Sequence, residues 1–295
     1  MMSVRGASVG GGEGAQVECQ LGNISVHYES VGKGRPALML HGWSLSHRHM
    51  LATMERVFAA REGWRRIYLD LPGHGKTPSR KWIRNQDRIL EVVLAFIDKL
   101  LPGQRLAVVG ASAGAYLARG VANRRPGLLA GLLLVVPMIV ADDAGRIIPT
   151  HNPIVRDPDL MAALEPADAE VMAELAVVQD RRIVDALAGQ MPSAEEAGDT
   201  DYQAYIRNDP RKYGFSFDVD AVTEPVAAPT LIVAGRQDSV VGYRQAWEIV
   251  ENYPRATFAV LDRAGHLLEV EQEQVFRVLV HEWLDRVEEY AASAD

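Results

Sequence analysis

The stretch LAVVGASAGA, residues 106–115, decides the fold of this chain. Its first four residues are apolar and predict a buried strand, and residues 113–123 predict a helix. Between them, residues 110–114 have the spacing G-x-S-x-G, which places a serine on a sharp turn from strand to helix. Such a turn is strained, so its neighbours must be small, and those of Ser112 are all Gly or Ala. The pattern is weak alone, but in this strand–turn–helix setting it makes Ser112 a candidate nucleophile.

Strand and helix signals alternate on both sides of this stretch, which predicts a mostly parallel sheet with helices on both faces. Because crossovers between parallel strands are right-handed, the sheet should be doubly wound. Strands are predicted at 15–21, 24–30, 37–40, 66–71, 106–109, 128–136, 230–234 and 257–261, and helices at 47–61, 85–101, 113–123, 243–251 and 271–289.

The alternation stops between residues 138 and 222, where we find no strand signal and only helical pieces, such as 166–178 and 181–188. This segment holds 17 Asp and Glu against 7 Lys and Arg, whereas the whole chain has a net charge of −8. The shift in composition predicts an acidic helical segment, inserted between a core formed by residues 1–137 and 223–295. Residues 1–14 are rich in glycine and are expected to be a flexible tail.

A serine hydroxyl becomes a good nucleophile only when a base takes its proton. Asp238 follows the predicted strand 230–234, and His266 follows the predicted strand 257–261. Both therefore lie at the carboxyl ends of strands, where open α/β sheets form their sites. For the acid, Asp142 and Asp143 after the sixth strand are the alternative to Asp238.

With these residues in place, the chain resembles the α/β-hydrolase family over nearly its whole length, from residues 40–43 (LHGW) to the terminal helix. The resemblance implies a catalytic triad in which Ser112 is the nucleophile, His266 the general base and Asp238 the acid that orients it. The turn at residues 70–75 (DLPGHG) also matches the family, where its role is structural rather than catalytic.

The resemblance also implies an oxyanion hole and a cap. The backbone N–H groups of Trp43 and Ala113 are expected to hold the oxyanion, and residues 138–222 are expected to be a helical cap that roofs the nucleophile. The implied architecture is thus an α/β-hydrolase fold with a cap inserted after the sixth strand.

We expect a carboxylesterase that acts on small or medium apolar esters through an acyl-enzyme. A carbon–carbon bond hydrolase of the ring-cleavage type is the closest alternative, and lactonase, thioesterase and cofactor-free perhydrolase activities also stay open. A ligand receptor that keeps the hydrolase fold is the non-enzyme alternative. Haloalkane dehalogenases and epoxide hydrolases are excluded because they carry an aspartate where this chain has Ser112.

Composition limits the partners to a small-molecule substrate. The acidic chain has no long basic run, so nucleic acid is not expected, and no apolar run reaches the roughly 20 residues of a membrane span. The single cysteine, Cys19, cannot form an intrachain disulfide.

His47 and His49 lack a third ligand at a telling spacing, so neither a metal nor another cofactor is expected. We expect a cytoplasmic enzyme, and its composition is compatible with a homo-oligomer.

Overall fold

The computed structural model describes residues 15–191 and 196–293, so the predicted tail at 1–14 lies outside the described residues. Eight strands form one sheet in the order β1-β2-β4-β3-β5-β6-β7-β8, with β1, β2 and β4 paired antiparallel and all later pairs parallel. The strands are β1 (Ala15–Leu21), β2 (Ile24–Val31), β3 (Arg35–Leu40), β4 (Trp64–Leu69), β5 (Leu106–Ala111), β6 (Leu129–Val135), β7 (Thr230–Gly235) and β8 (Ala256–Leu261). The predicted doubly wound, mostly parallel sheet is confirmed.

Eleven α-helices accompany the sheet within the described residues. They are α1 (His47–Phe58), α2 (Gln86–Leu100), α3 (Ala113–Arg124), α4 (Pro158–Ala163), α5 (Pro166–Leu175), α6 (Arg181–Gln190), α7 (Thr200–Arg207), α8 (Pro210–Tyr213), α9 (Arg244–Glu248), α10 (Leu268–Glu271) and α11 (Glu273–Ala292).

The central strands are apolar throughout because helices cover both faces of the sheet. In β3, Leu38 and Leu40 belong to the core on the side of α2 and α3, whereas Ala37 and Met39 belong to the core on the side of α1 and α11. All four side chains are at most 1% exposed. This burial fixes the register, since a shift by one residue would exchange the two faces.

Helix ends differ most from the sequence-based bounds. The helix predicted for 47–61 ends at Phe58, and the helix predicted for 166–178 ends at Leu175. In the second case the chain turns extended because Val178 forms an isolated parallel bridge with Val155. The terminal helix predicted for 271–289 is α11, which spans Glu273–Ala292, and it is separated from α10 by Gln272, whose φ of −121° is not helical.

In its described parts, 138–191 and 196–222, the inserted segment contributes no strand to the sheet and contains helices α4 to α8. Four of these helices begin at an aspartate whose side chain accepts a backbone N–H of the first turn: Asp157, Asp180, Asp199 and Asp209. Aspartate suits this position because it satisfies a free N–H group and interacts favourably with the helix dipole. Part of the acidic composition therefore has a structural cause.

No helix within the described ranges combines the length and the apolar character required to cross a membrane. This finding agrees with the absence of a long apolar run in the sequence.

The junction between β5 and α3 leaves no room for a side chain at its second glycine. A Cβ atom added to Gly114 would overlap the backbone carbonyl oxygens of Leu40 and His41, because the first turn of α3 lies directly against the end of β3. The glycine in the G-x-S-x-G spacing is therefore required by a close backbone contact rather than by a positive φ.

We predict that Gly114→Ala destabilises the protein by about 3 kcal/mol, because backbone atoms rather than a flexible side chain must move. Urea unfolding followed by circular dichroism measures the change. Gly127→Ala is the matched control, since a Cβ at Gly127 meets no atom within 4 Å. Equal stability of the two variants would show that α3 can move away from β3.

Candidate active site

Ser112 lies between β5 and α3 with φ 53° and ψ −116°, a conformation that non-glycine residues rarely adopt. Its backbone is held on both sides: its N–H donates to the carbonyl oxygen of Val135 (3.0 Å), and its carbonyl oxygen accepts from the N–H of Met138 (3.2 Å). These bonds to the end of β6 fix the turn, so the strained serine presents its hydroxyl at the carboxyl edge of the sheet.

The structure brings the three predicted triad residues into one hydrogen-bonded line. The Ser112 Oγ–Nε2 distance to His266 is 3.1 Å, and His266 Nδ1 lies 2.9 Å from Oδ2 of Asp238. Asp238 is fully buried, and its other oxygen accepts the N–H groups of Val240 (2.9 Å) and Val241 (3.0 Å). With Nδ1–H donating to the carboxylate, Nε2 is free to accept the serine proton.

Burial by itself would lower the pKa of His266, but the carboxylate of Asp238 more than offsets this effect and raises that pKa. The charge of Glu269 acts in the same direction, and that of Arg146 opposes it. The imidazole can therefore hold a proton more readily than a free histidine, which suits a base that must stabilise its own charged form.

The two expected oxyanion donors lie at the same edge of the sheet. Ala113 is the first residue of α3, so its N–H has no acceptor within the helix. Trp43 follows β3, and its ring contacts His74 (centroids 4.6 Å apart) and Tyr213 (5.0 Å apart), both edge to face. Since Tyr213 ends α8, the inserted segment contacts the loop that carries Trp43.

The alternative acids are placed away from the imidazole. The side chain of Asp142 accepts the N–H of Ala144 at a short 3₁₀ turn, and Asp143 is paired with Arg146 and Arg207 at 2.7 Å each. Neither carboxylate is hydrogen-bonded to His266, whose Nδ1 contacts Asp238.

Asp70 and His74 belong to the turn at residues 70–75. Burial would raise the pKa of Asp70, but hydrogen bonds from the backbone and the ring of His47 lower it to about 2. His74 is fully buried, which lowers its pKa to about 4, and its Nδ1 bonds the carbonyl oxygen of Pro72. These contacts are consistent with the structural role that the resemblance implies for the turn.

His47 finds neighbours that the sequence spacing did not reveal. Its ring lies beside His27 and Asp70, and one ligand atom from each of the three lies within 4.8 Å of the others. However, both oxygens of Asp70 already accept hydrogen bonds, from His47 and from the N–H of Lys76 (2.9 Å). His49 points elsewhere and contacts Glu269 at 3.1 Å. The cluster is thus a hydrogen-bonded network at the start of α1, and the expected absence of a metal stays a prediction.

Sequence reasoning missed one buried group beside the triad. The Glu271 carboxylate accepts three backbone N–H groups, from Val177, Val178 and Gly265, the last directly before His266. Its sequence signal is weak, because one more acidic residue in a helix turn ordinarily indicates a solvated surface.

The sequence matches the model of the alpha/beta hydrolase family over residues 37–278, which include Ser112, Asp238 and His266. The chain belongs to the α/β-hydrolase family. This assignment and the geometry above make it an enzyme that carries out hydrolysis.

Two curated relatives of this α/β hydrolase cover most of its length. The 2-hydroxy-6-oxononadienedioate/2-hydroxy-6-oxononatrienedioate hydrolase of Burkholderia vietnamiensis is 27% identical over 89% of this chain and 92% of its own. The pimeloyl-[acyl-carrier protein] methyl ester esterase of Chromobacterium violaceum is 26% identical over 86% and 95%, respectively. An α/β-superfamily hydrolase from Oenococcus oeni has the same fold, with a TM-score of 0.80 and 24% identity over 89% of this chain and 96% of that one.

We predict that Asp238→Asn lowers kcat by roughly 10⁴-fold, because the amide favours the wrong tautomer of His266. The variant should also move the midpoint of the kcat/KM–pH profile to lower pH. Activity rises as His266 loses its proton, and the variant lacks the charge that raises the pKa of His266. Initial rates between pH 5 and 9 measure both effects.

Asp142→Asn is the matched control and should leave rate and midpoint nearly unchanged, since Asp142 only caps a 3₁₀ turn. A crippled Asp142→Asn beside a mild Asp238→Asn would place the catalytic acid after the sixth strand instead.

Proposed function

We propose that this α/β hydrolase is a carboxylesterase that acts on small or medium apolar esters through an acyl-enzyme. The observation that carries the proposal is the line from Ser112 through His266 to Asp238, with contacts of 3.1 and 2.9 Å. In such a line a serine can be deprotonated as it attacks a carbonyl carbon.

In the proposed mechanism, Ser112 Oγ forms a bond to the ester carbonyl carbon while His266 Nε2 takes its proton. The N–H groups of Trp43 and Ala113 hold the oxygen that becomes negative. His266 then returns the proton to the departing alcohol, which leaves an acyl group on Ser112. Water, deprotonated by the same imidazole, attacks this group and releases the acid, so no metal or organic cofactor takes part.

We propose that the inserted segment is the cap of this site. Its residue Tyr213 contacts Trp43, and Gln190 of α6 donates a hydrogen bond to Thr53 of α1 (3.1 Å). The segment therefore contacts both the loop after β3 and helix α1, and as a cap it would exclude water from the acyl-enzyme.

Carbon–carbon bond hydrolysis of the ring-cleavage type is the second candidate. It is favoured by the resemblance to the Burkholderia vietnamiensis hydrolase, whose name gives a dioate as its substrate. The name of the Chromobacterium violaceum relative, a methyl ester esterase, favours the first candidate. The two relatives are equally distant from this chain, so the choice depends on how the site treats a carboxylate.

Arg146 argues against a dioate substrate. This buried arginine, close enough to influence His266, offers five N–H donors, and its acceptors lie within the protein. They are the carbonyl oxygens of Val140, Ala141 and Val240, the Asp143 carboxylate and the Met138 sulfur. The guanidinium is therefore already satisfied and does not need a substrate carboxylate.

The predicted nucleophile is tested directly by Ser112→Ala, which should lower kcat on a p-nitrophenyl ester by about 10⁶-fold. The fold should stay intact, as judged by circular dichroism. A fluorophosphonate probe should label Ser112 in the parent protein, and peptide mapping identifies the labelled residue. A label on another serine would refute the assignment, whereas tight ester binding without turnover in the parent protein would favour a receptor.

We also predict that a neutral ester is hydrolysed faster than its carboxylate-bearing isostere at low salt. The inserted segment holds 17 acidic residues against 7 basic ones, and like charges near a cleft repel an approaching anion. Raising the salt to about 0.15 M should raise kcat/KM for the anionic ester only, because charges farther than about 8 Å are then screened.

Equal kcat/KM for the two esters at low salt would show that the acidic side chains act only as helix caps and solvated surface. A faster anionic ester would favour the carbon–carbon hydrolase, and a vinylogous diketone carrying a carboxylate would then be the next substrate to assay.

A further inference from the structure

Glu271, the last residue of α10, is a buried carboxylate with an unusual set of partners. Its side chain is 4% exposed in the folded chain. One oxygen accepts the backbone N–H groups of Val177 (2.6 Å) and Val178 (3.0 Å), and the other accepts that of Gly265 (2.6 Å). Hydrogen bonds to an ionised acceptor are short and about twice as strong as neutral ones, so these three bonds are a strong local tie.

The three N–H groups belong to two parts of the chain that the proposed function needs together. Val177 and Val178 lie in the inserted segment between α5 and α6, whereas Gly265 directly precedes His266. The two segments pack closely, because a Cβ atom at Gly265 would lie 2.8 Å from the side chain of Val177 and 3.3 Å from the carbonyl oxygen of Leu175. Glu271 therefore bridges the proposed cap and the loop that carries the proposed base.

A second contact strengthens the same junction. The guanidinium of Arg182, in α6, donates to the carbonyl oxygen of Val270, directly before Glu271 in α10. Arg182 thus bonds backbone carbonyl oxygens of α10, whereas the Glu271 carboxylate accepts N–H groups from both sides of the junction.

We propose that Glu271 is a positioning residue: as a carboxylate it holds residues 176–179 of the inserted segment and the His266 loop in register, and its protonation loosens both. Its effect on catalysis rests on the proposed role of His266, but its effect on the two backbones does not. A protonated carboxyl carries a hydrogen on one oxygen and is a weaker acceptor for at least one of the three N–H groups.

The surroundings place this change in an accessible pH range. Burial raises the pKa of Glu271 to about 7, although the three N–H bonds oppose the shift. The charge that acts on it is that of Glu269, on its own helix turn. Arg182 of α6 contacts its backbone carbonyl oxygen, and His266 directly follows Gly265, whose N–H the carboxylate accepts. Below about pH 7 the carboxyl gains its proton and the junction weakens.

Protonation of Glu271 is proposed to loosen the junction, but its effect on the free energy of unfolding has the opposite sign. Because the pKa of Glu271 in the folded protein lies above the ordinary value of 4.5, the folded state binds the proton more tightly than the unfolded chain does. The stability that this group contributes therefore falls as the pH rises from about 4.5 to 7. The proposed loosening is therefore an opening in which Glu271 stays buried, because there the loss of the three N–H bonds raises its pKa further. An opening that exposed Glu271 to water would instead be favoured at high pH.

Residue-resolved amide hydrogen exchange by NMR tests the proposal. After correction for the chemical exchange rate at each pH, protection of the N–H groups of Gly265, Val177 and Val178 should rise by roughly 10-fold between pH 5.5 and 8.5. The rise should have its midpoint near the pKa of Glu271. Glu271→Gln, whose amide nitrogen cannot accept a hydrogen bond, should remove the midpoint and keep protection at the low-pH level.

Glu273→Gln is the matched control. Glu273 lies directly after Gln272, and its ion pair is with the exposed Arg56, at 3.4 Å. It should keep the parent midpoint. The proposal would be overturned if protection in the parent protein did not change with pH. It would also be overturned if the midpoint persisted in Glu271→Gln, because His266 would then be the titrating group.

The same variants separate this proposal from the proposed function. With an ester substrate, Glu271→Gln should lower kcat/KM across the pH range while fluorophosphonate still labels Ser112. If the triad assignment were wrong, the exchange result would stand and only the activity effect would be missing. If Glu271→Gln does not fold, exchange in His266→Ala decides the question: a midpoint that stays belongs to Glu271, and one that disappears belongs to His266 and overturns the proposal.

Discussion

The close contact between the first turn of α3 and the end of β3 is the constraint on which the rest of the site depends. It requires a glycine at position 114, because any Cβ there would overlap the carbonyl oxygens of Leu40 and His41. The contact brings the start of α3 next to the loop after β3, so the N–H groups of Ala113 and Trp43 lie at the same edge as Ser112. The positions of the proposed nucleophile and of the two proposed oxyanion donors thus follow from one backbone packing requirement.

Backbone strain is confined to the carboxyl edge of the sheet, where Ser112 lies. Among the described residues, the non-glycine residues with positive φ are Ser44, Ser112, Val136 and Arg263, which follow β3, β5, β6 and β8, respectively. Such conformations persist only where the surrounding structure determines them. At Ser112 that structure is the buried strand β5 and the backbone hydrogen bonds to Val135 and Met138. The sheet therefore carries the strained turn that presents the Ser112 hydroxyl.

The sheet and the triad could be predicted because their signals are local. A buried parallel strand is an uninterrupted apolar run, and Asp238 and His266 each follow such a run at the end where sites form. The contacts of Glu271 and of His47 could not be predicted, since they join residues far apart in sequence: Glu271 to Val177, and His47 to Asp70. Helix ends were also inaccurate, as at Leu175, because a bridge between Val155 and Val178 decides where the helix stops.

The histidines show why geometry, rather than residue type, selects the base. His41 and His74 are fully buried, and burial lowers their pKa values to about 3 and about 4, whereas the side chain of His266 is 15% exposed. An imidazole with such a pKa cannot take a proton from a serine near neutral pH without a large cost. His266 differs because Asp238 contacts its Nδ1 and raises its pKa despite the burial. Desolvation lowers the pKa of a buried histidine, whereas a contacting carboxylate raises that of His266, the proposed base. This carboxylate is itself held in place, since it accepts the backbone N–H groups of Val240 and Val241.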